Sequence, residues 1–174
     1  IQIAGYPAFL ACNYKLAEAL VMTVNRQIAF IDPSIANWET LLASLGAGIE
    51  VVILDPSTDG LLQIAESLRG TSDVSAIHIF SHGSSGEVTL GDAVLNAGNL
   101  EQYSTALAAI GNALTATGDI LLYGCNVAEG DGGQAFITQL AAAAGADVAA
   151  STDLTGNAAL GGDWVLENST GTID

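Results

Sequence analysis

From residue 27 onward, short runs of β-branched and aliphatic residues alternate with helical patterns, and Gly, Asp or Pro separates each run from the next. This alternation is typical of a parallel β-sheet covered by helices. It predicts an α/β domain over residues 27–174. The predicted strands are residues 27–31, 50–54, 76–80, 120–123 and 147–150, and the predicted helices lie near residues 38–45, 59–68, 100–113 and 134–144.

Four local patterns refine this outline. Residues 50–54 are almost all apolar, which indicates a strand buried on both faces. Gly91-Asp92, between residues 87–90 and 93–95, predicts a two-residue hairpin. Residues 129–133 are predicted as a Gly-rich loop whose acidic residues could gate a neighbouring site, and residues 160–164 as part of a closing hairpin.

The charge of the chain excludes several classes of partner. Asp and Glu number 19 against 3 Lys and Arg, which gives a formal net charge of -16. Three scattered cations cannot form the basic patch that nucleic acids or anionic membrane surfaces require. No apolar run approaches the roughly 20 residues that cross a bilayer. We therefore expect a soluble domain with no nucleic-acid partner and no membrane insertion.

Residues 1–26 do not follow the alternation of strands and helices. Leu16, Leu20, Val21 and Val24 could form one helical face, so the segment is expected to be a docking helix or a linker from a neighbouring module. The chain also lacks an initiating Met, and we expect it to belong to a longer protein. Cys12 and Cys125 neither require nor exclude one disulfide.

His82 and Cys125 are the candidate catalytic residues, because each closely follows a predicted strand and each is flanked by Gly. Ligands of open α/β sheets bind beyond the carboxyl ends of the strands, so both side chains would share a crevice if the strands are neighbours. An imidazole can then take the proton of a thiol and leave a nucleophilic thiolate. The backbone N–H groups of Gly83 and Cys125 would form an oxyanion hole.

Structural interpretations of the same residues remain open. A His beside Gly at a strand end can serve as a hydrogen-bonding group of the loop, and a buried Cys is often only a small apolar side chain. His78 faces the opposite way from Ile77 and Ile79 along its strand. We expect His78 to be a packed or capping residue rather than the base.

Several motifs in order carry a resemblance to known families. AIHIFSHG (76–83) and DILLYGC (119–125) resemble caspase-like cysteine peptidases, including CHAT domains, in which one strand ends in His-Gly and the next in the nucleophilic Cys. Residues 27–174 resemble more closely DUF4347, an uncharacterised domain of large bacterial surface proteins with adhesin or cadherin-like repeats. That closer match rests on FIDPS (30–34), LDPSTDG (54–60), SHG (81–83), LYGCNVA (122–128), ASTDLTG (150–156) and GGDW (161–164).

The resemblance implies a three-layer caspase-like sandwich, with helices on both faces of a mostly parallel sheet. It implies a secreted or cell-surface bacterial protein without a cofactor. The implied activity is that of a cysteine endopeptidase with a His82–Cys125 dyad, which processes its own parent chain or a partner. The alternative is a non-catalytic structural or interaction module of an adhesin or filament, assembled with neighbouring domains.

Carboxylates follow three of the predicted strands, at Asp32, Asp55 and Asp153. The resemblance allows these residues to form a substrate pocket for Arg or Lys, because relatives with basic specificity use acidic pockets. Arg26, which lies between the two segments of the chain, is then a candidate site of self-cleavage. The alternative is that the three acidic residues are turn and helix-capping residues.

A calcium site is a further possibility at Asp55, Ser57, Asp59 and Glu66. These residues follow the spacing of EF-hand ligands, except that Ser stands at the third loop position. They lie between a strand and a helix, however, whereas an EF-hand has a helix on both sides. Asp59 fits equally well as a helix cap.

Overall fold

The computed structural model of the protein describes residues 25–174. Its strands in chain order are β1 (Arg26–Ile31), β2 (Ile49–Ile53), β3 (Val74–Phe80), β4 (His82–Ser84), β5 (Glu87–Leu90), β6 (Ala93–Asn96), β7 (Leu114–Tyr123), β8 (Asp147–Ala150) and β9 (Asn168–Ser169). Its helices are α1 (Trp38–Ser44), α2 (Gly60–Ser67), α3 (Ser104–Ala113) and α4 (Gly130–Ala144), with short 3-10 turns at Leu100–Tyr103 and Ala158–Leu160.

Within this range, six strands form one sheet in the order β2–β1–β3–β7–β8–β9. Neighbours among the first five are parallel, and β9 runs antiparallel to β8. β4, β5 and β6 form a separate antiparallel sheet. Helices lie in the connections between the parallel strands, since a parallel pair needs a crossover. The prediction of an α/β fold with a mostly parallel sheet is therefore confirmed.

Different helices cover the two faces of β1. Ile28 and Phe30 pack in the main core, together with buried side chains of α2, α3 and α4. Ala29 and Ile31 point to the other face and pack with side chains of α1, among them Trp38. This arrangement follows from the alternation of side chains along a strand. Most of the core thus lies between the sheet and three helices, and a smaller cluster lies under α1.

The β5–β6 hairpin has the predicted turn at Gly91-Asp92. Gly91 has φ +61, and a Cβ there would overlap the carbonyl oxygen of Thr58. The N–H of Asp92 donates to that same oxygen at 3.2 Å, so the turn is held against the loop before α2. Only a glycine fits this position, because both the backbone conformation and the close approach exclude a side chain.

The position of β2 in the sheet differs from the prediction. Its apolar sequence indicated burial on both faces, but β2 is an edge strand of the sheet. Glu50 and Ile53 are exposed, Ile53 to 39%. The prediction is wrong because an apolar run does not reveal whether a further strand or helix covers the edge, and the short α1 covers β2 only in part.

Three element boundaries also differ from the prediction. β7 begins at Leu114 rather than at the predicted residue 120, and its pairing with β3 shifts register between Val74 and Ala76. α4 begins at Gly130, and the predicted Gly-rich loop is mainly its first turn. The predicted hairpin around residues 160–164 is instead a 3-10 turn and irregular chain, with an isolated parallel bridge between Thr155 and Asp163.

The predicted N-terminal segment falls mostly outside the described residues. Residues 1–24, which include Cys12 and the proposed docking helix, are not part of the described chain. Arg26 is the first residue of β1. None of the helices within residues 25–174 has the length and apolar character needed to cross a membrane.

Helices α3 and α4 come into close contact at Gly111. A Cβ built on Gly111 would overlap the carbonyl oxygen of Ala144 and lie 2.8 Å from its carbonyl carbon. Both atoms belong to the backbone, so the neighbour cannot move aside by changing a rotamer. The absence of a side chain at Gly111 therefore sets the distance between the two helices.

We predict that Gly111→Ala lowers the free energy of unfolding by about 1 to 3 kcal/mol, because overpacking forces the two helices apart. This loss should exceed the gain in helix propensity of up to about 1 kcal/mol that Ala normally brings. Urea unfolding followed by circular dichroism measures the change. Gly46→Ala is the matched control, since a Cβ at Gly46 meets no atom within 4 Å. Equal stabilities of the two variants would contradict the prediction.

Candidate active site

The pairing of β3 with β7 brings His82 and Cys125 to the same edge of the sheet. The two strands are parallel neighbours, and Phe80 lies opposite Tyr123 in their register. His82 and Cys125 each follow these paired residues by two positions. Strand order and register thus place both side chains beyond the carboxyl ends of adjacent strands, where α/β sheets bind ligands.

Both residues line one open cavity of about 570 Å³. One wall comes from the chain after β1 and from α1, and the other comes from the long segment after β8. The ends of β3 and β7 lie between these walls. The lining residues are Ile35, Ala36, Asn37, Thr40, Leu41 and Ser44; then Phe80, Ser81, His82, Tyr123 and Cys125; then Thr155, Gly156, Asn157, Ala158, Leu160 and Trp164.

The His82 ring is oriented by a backbone carbonyl. Its Nε2 lies 3.3 Å from the carbonyl oxygen of Ser34, in the chain after β1. A carbonyl oxygen only accepts hydrogen bonds, so this contact favours the tautomer with the proton on Nε2. Nδ1 then carries the lone pair. The ring is exposed to solvent and is therefore accessible to a proton donor in the cavity.

Cys125 is half-buried, and its Sγ lies 3.8 Å from the carbonyl oxygen of Thr155. Within residues 25–174, the side-chain hydrogen bonds of His82 and Cys125 go to these two carbonyls, and none joins the two side chains directly. The thiol and the imidazole are therefore not hydrogen-bonded to each other. Catalytic hydrogen bonds in unliganded enzymes are often loose and tighten only with substrate.

The backbone after Cys125 is held in an unusual conformation. Asn126 has φ +63, in the left-handed region that residues other than glycine seldom adopt. Its N–H donates to the carbonyl oxygen of Asp153 at 2.7 Å, and its Nδ2 donates to Glu129 at 2.8 Å. These bonds fix the turn that presents the thiol. Glu129 thus holds the Cys125 loop, in place of the gating role that the sequence suggested for residues 129–131.

Gly83 lies directly against the Cys125 loop. A Cβ on Gly83 would come within 3.1 Å of the Cys125 carbonyl oxygen and 2.5 Å of a methyl group of Val127. Only glycine lets the two strand ends approach this closely. The predicted role of the Gly83 and Cys125 amides in an oxyanion hole stays a prediction.

Asp32 is completely buried and lies outside the cavity lining. One carboxylate oxygen accepts the Ser34 N–H at 2.8 Å, and the other accepts the Gly91 N–H at 2.7 Å. The Asp32 N–H donates to the Phe80 carbonyl at 2.9 Å. Asp32 therefore holds the loop that presents the Ser34 carbonyl to His82. It is a positioning residue rather than part of a substrate pocket.

The other two predicted pocket residues also lie outside the cavity lining. Asp55 is exposed, and hydrogen bonds from Ser57 lower the pKa of its carboxyl group. Asp153 is exposed, and its carboxylate lies with those of Asp163 and Glu167 within 4.8 Å of one another. None of the three predicted pocket residues therefore lines this cavity.

Within the described residues, the three carboxylates among the proposed calcium ligands do not form a cluster that could hold a metal ion. Asp59 caps α2 through the Leu62 N–H at 3.1 Å and accepts the Tyr103 hydroxyl at 2.7 Å. Glu66 pairs instead with Arg69 on the surface. The helix-capping interpretation of Asp59 is confirmed.

Sequence reasoning missed the aromatic group beside the dyad. Phe80 and Tyr123 stack with ring centroids 4.5 Å apart, and Trp164 meets their edges at 6.1 and 6.2 Å. His78 stacks with both Phe80 and Tyr123, at centroid distances of 6.4 and 5.9 Å, which agrees with its predicted packing role. The paired positions of Phe80 and Tyr123 could be read from the strand pattern. The approach of Trp164 could not, because it depends on the path of an irregular segment.

The fold and the site together define a class of protein. It is an α/β domain whose parallel sheet brings one histidine and one cysteine into a common cavity. The chain belongs to the DUF4347 family: the family model, described as a domain of unknown function, matches residues 28–174. A search of the curated proteins found no match.

We predict that Asp32→Ala lowers the free energy of unfolding by about 2 to 4 kcal/mol, because two part-buried N–H groups lose the acceptor that this buried side chain supplies, at about 1 to 3 kcal/mol each. Urea unfolding measures the change. Asp55→Ala is the matched control, since this exposed carboxylate accepts a similar bond from the amide two residues on. The control should leave stability nearly unchanged. A similar loss in both variants would show that burial of Asp32 has no special role.

A second prediction concerns pH. Burial lowers the pKa of His78 from its ordinary value of 6.5. The unfolded chain then binds a proton at higher pH than the folded chain, so this contribution to stability is lost as pH falls below about 6.5. His78→Gln should therefore flatten the dependence of the urea midpoint on pH between about 7.5 and 5. An unchanged dependence would argue against this role for His78.

Proposed function

We propose that this domain is a cysteine endopeptidase with a caspase-like arrangement, in which Cys125 is the nucleophile and His82 the base. One observation carries the proposal: two parallel neighbouring strands present His82 and Cys125 from matched register positions into a single cavity. A thiol and an imidazole at the end of a sheet, beside an aromatic pocket, suit nucleophilic attack on a peptide carbonyl.

In the first step, Nδ1 of His82 takes the proton of the Cys125 thiol, and the Ser34 carbonyl stabilises the resulting imidazolium at Nε2. The sulfur attacks the peptide carbonyl carbon, and a C–S bond forms. When the tetrahedral intermediate collapses, the C–N bond breaks. His82 returns its proton to the leaving amine, so the first product departs as an amine and the acyl group remains on Cys125 as a thioester.

In the second step, His82 takes a proton from a water molecule, whose oxygen attacks the thioester carbon. The C–S bond breaks, the second product leaves as a carboxylic acid, and the thiol is regenerated with the proton from His82. In both steps, negative charge develops on the carbonyl oxygen. The N–H groups of Gly83 and Cys125 are proposed as its donors, since the two backbones lie side by side at this edge.

The proposed setting is a large bacterial surface protein, in which the domain cleaves its parent chain or a neighbouring chain. Arg26 is a poor candidate for the cleaved residue. It pairs with Val74 in the sheet, and its guanidinium lies 2.8 Å from Glu50. Cleavage after Arg26 would require β1 to leave the sheet, so another segment or another chain is the better substrate.

A second candidate function is a non-catalytic interaction module. It is favoured by the exposed apolar side chains in the segment after β8, namely Leu154, Leu160, Trp164 and Val165. Exposed apolar clusters of this kind often mark protein–protein contacts. The two functions make opposite predictions for the reactivity of Cys125.

Alkylation by iodoacetamide at neutral pH distinguishes the two functions. For a catalytic dyad, Cys125 should react at a rate that falls at least about 10-fold in His82→Ala, because a paired base typically contributes 10²-fold or more. Mass spectrometry of the peptide that contains Cys125 separates its signal from that of Cys12. His78→Ala is the matched control, since it removes the other histidine without touching the dyad, and should keep the fast rate.

Turnover of a mixed library of quenched fluorescent peptides provides the second readout. Wild type should cleave the library, and Cys125→Ala should not. Slow alkylation that does not depend on His82, together with no turnover, would contradict the peptidase and leave the interaction module.

A further inference from the structure

We propose that the cavity beside Cys125 receives a large, uncharged apolar side chain of a peptide substrate, such as Leu, Met, Phe or Tyr, rather than Arg or Lys. The inference rests on the proposed peptidase function and specifies its substrate class. It replaces the basic specificity expected from Asp32, Asp55 and Asp153.

The described lining of the cavity carries no carboxylate that would neutralise a cationic occupant. Within the described part of the chain, no Asp, Glu, Lys or Arg lines it. Arg or Lys entering the cavity would lose water without gaining a carboxylate partner, and a charge buried without a partner is strongly disfavoured. Although the protein as a whole carries a formal charge of -16, that charge lies elsewhere than in this lining.

Aromatic and aliphatic side chains form much of the cavity lining. The stacked rings of Phe80 and Tyr123 lie beside the dyad, and Trp164 meets both rings by an edge. Leu41 and Leu160 lie on opposite walls. An apolar side chain between these walls would gain burial and edge or stacking contacts with the rings.

This apolar surface is also accessible to water. Trp164 is 51% exposed and Leu160 is 81% exposed, although both line the cavity. A volume of about 570 Å³ holds one large side chain together with neighbouring backbone. Because the dyad lies in the same cavity, the occupant that fits is the side chain next to the cleaved bond, on an extended peptide.

Peptidyl acyloxymethyl ketones test the assignment. Four probes would differ only in the residue before the ketone, which would be Leu, Phe, Arg or Asp, and the measured quantity is the rate constant for labelling Cys125. We expect the Leu and Phe probes to react at least about 10-fold faster than the Arg and Asp probes, as differences in pocket contacts commonly produce.

Substitutions in the lining connect the preference to this cavity. Trp164→Ala and Leu160→Ser should each reduce the Leu and Phe rates several-fold relative to the rate of the same variant with iodoacetamide. Leu62→Ala is the matched control, because Leu62 is 52% exposed on α2 and does not line the cavity. Thr40→Asp should raise the Arg rate, and Thr40→Asn, which lacks the charge, should not.

The outcomes separate the two proposals. Fastest labelling by the Arg or Asp probe, or equal rates for all four, would overturn the apolar assignment and leave the peptidase in place. If every probe reacts with Cys125 no faster than with a free thiol, the peptidase fails and the assignment fails with it. Rates that respond to Leu62→Ala as strongly as to Trp164→Ala would show that the preference does not arise in this cavity.

Discussion

The buried carboxylate of Asp32 holds together the edge of the sheet on which the site is built. It receives two backbone N–H groups, one from the loop after β1 and one from the β5–β6 turn, while its own N–H bonds to the end of β3. A buried polar side chain is tolerated only when its hydrogen bonds are satisfied in this way. The position of the Ser34 carbonyl, and through it that of the His82 ring, depends on this one side chain.

Much of the fold could be predicted from local patterns in the sequence. The five parallel strands, the four helices and the hairpin at Gly91 were predicted close to their observed positions, because periodicity and turn residues are local properties. The edge position of β2 and the path of residues 154–165 were not predicted. Both depend on what covers a segment in space, and the order of residues does not specify that.

The sequence predicted only part of the site, because some of its features also depend on the arrangement of the chain in space. His82 and Cys125 could be placed together once their strands were taken as neighbours, and the observed register supports that assumption. The Ser34 carbonyl could not be found from sequence, since every residue has a carbonyl and only the fold selects one. The three carboxylates were grouped because each follows a strand, but the loops send their side chains to separate partners.

Residues from four distant parts of the chain line the cavity. These parts lie at or after the ends of β1, β3, β7 and β8. These parts meet through the pairing of parallel strands that lie far apart in the chain, and pairing between distant residues slows folding. A nascent or partly unfolded chain therefore contains Cys125 without the assembled cavity around it. The cavity around Cys125 is therefore complete only when β8, the last parallel strand, has joined the sheet.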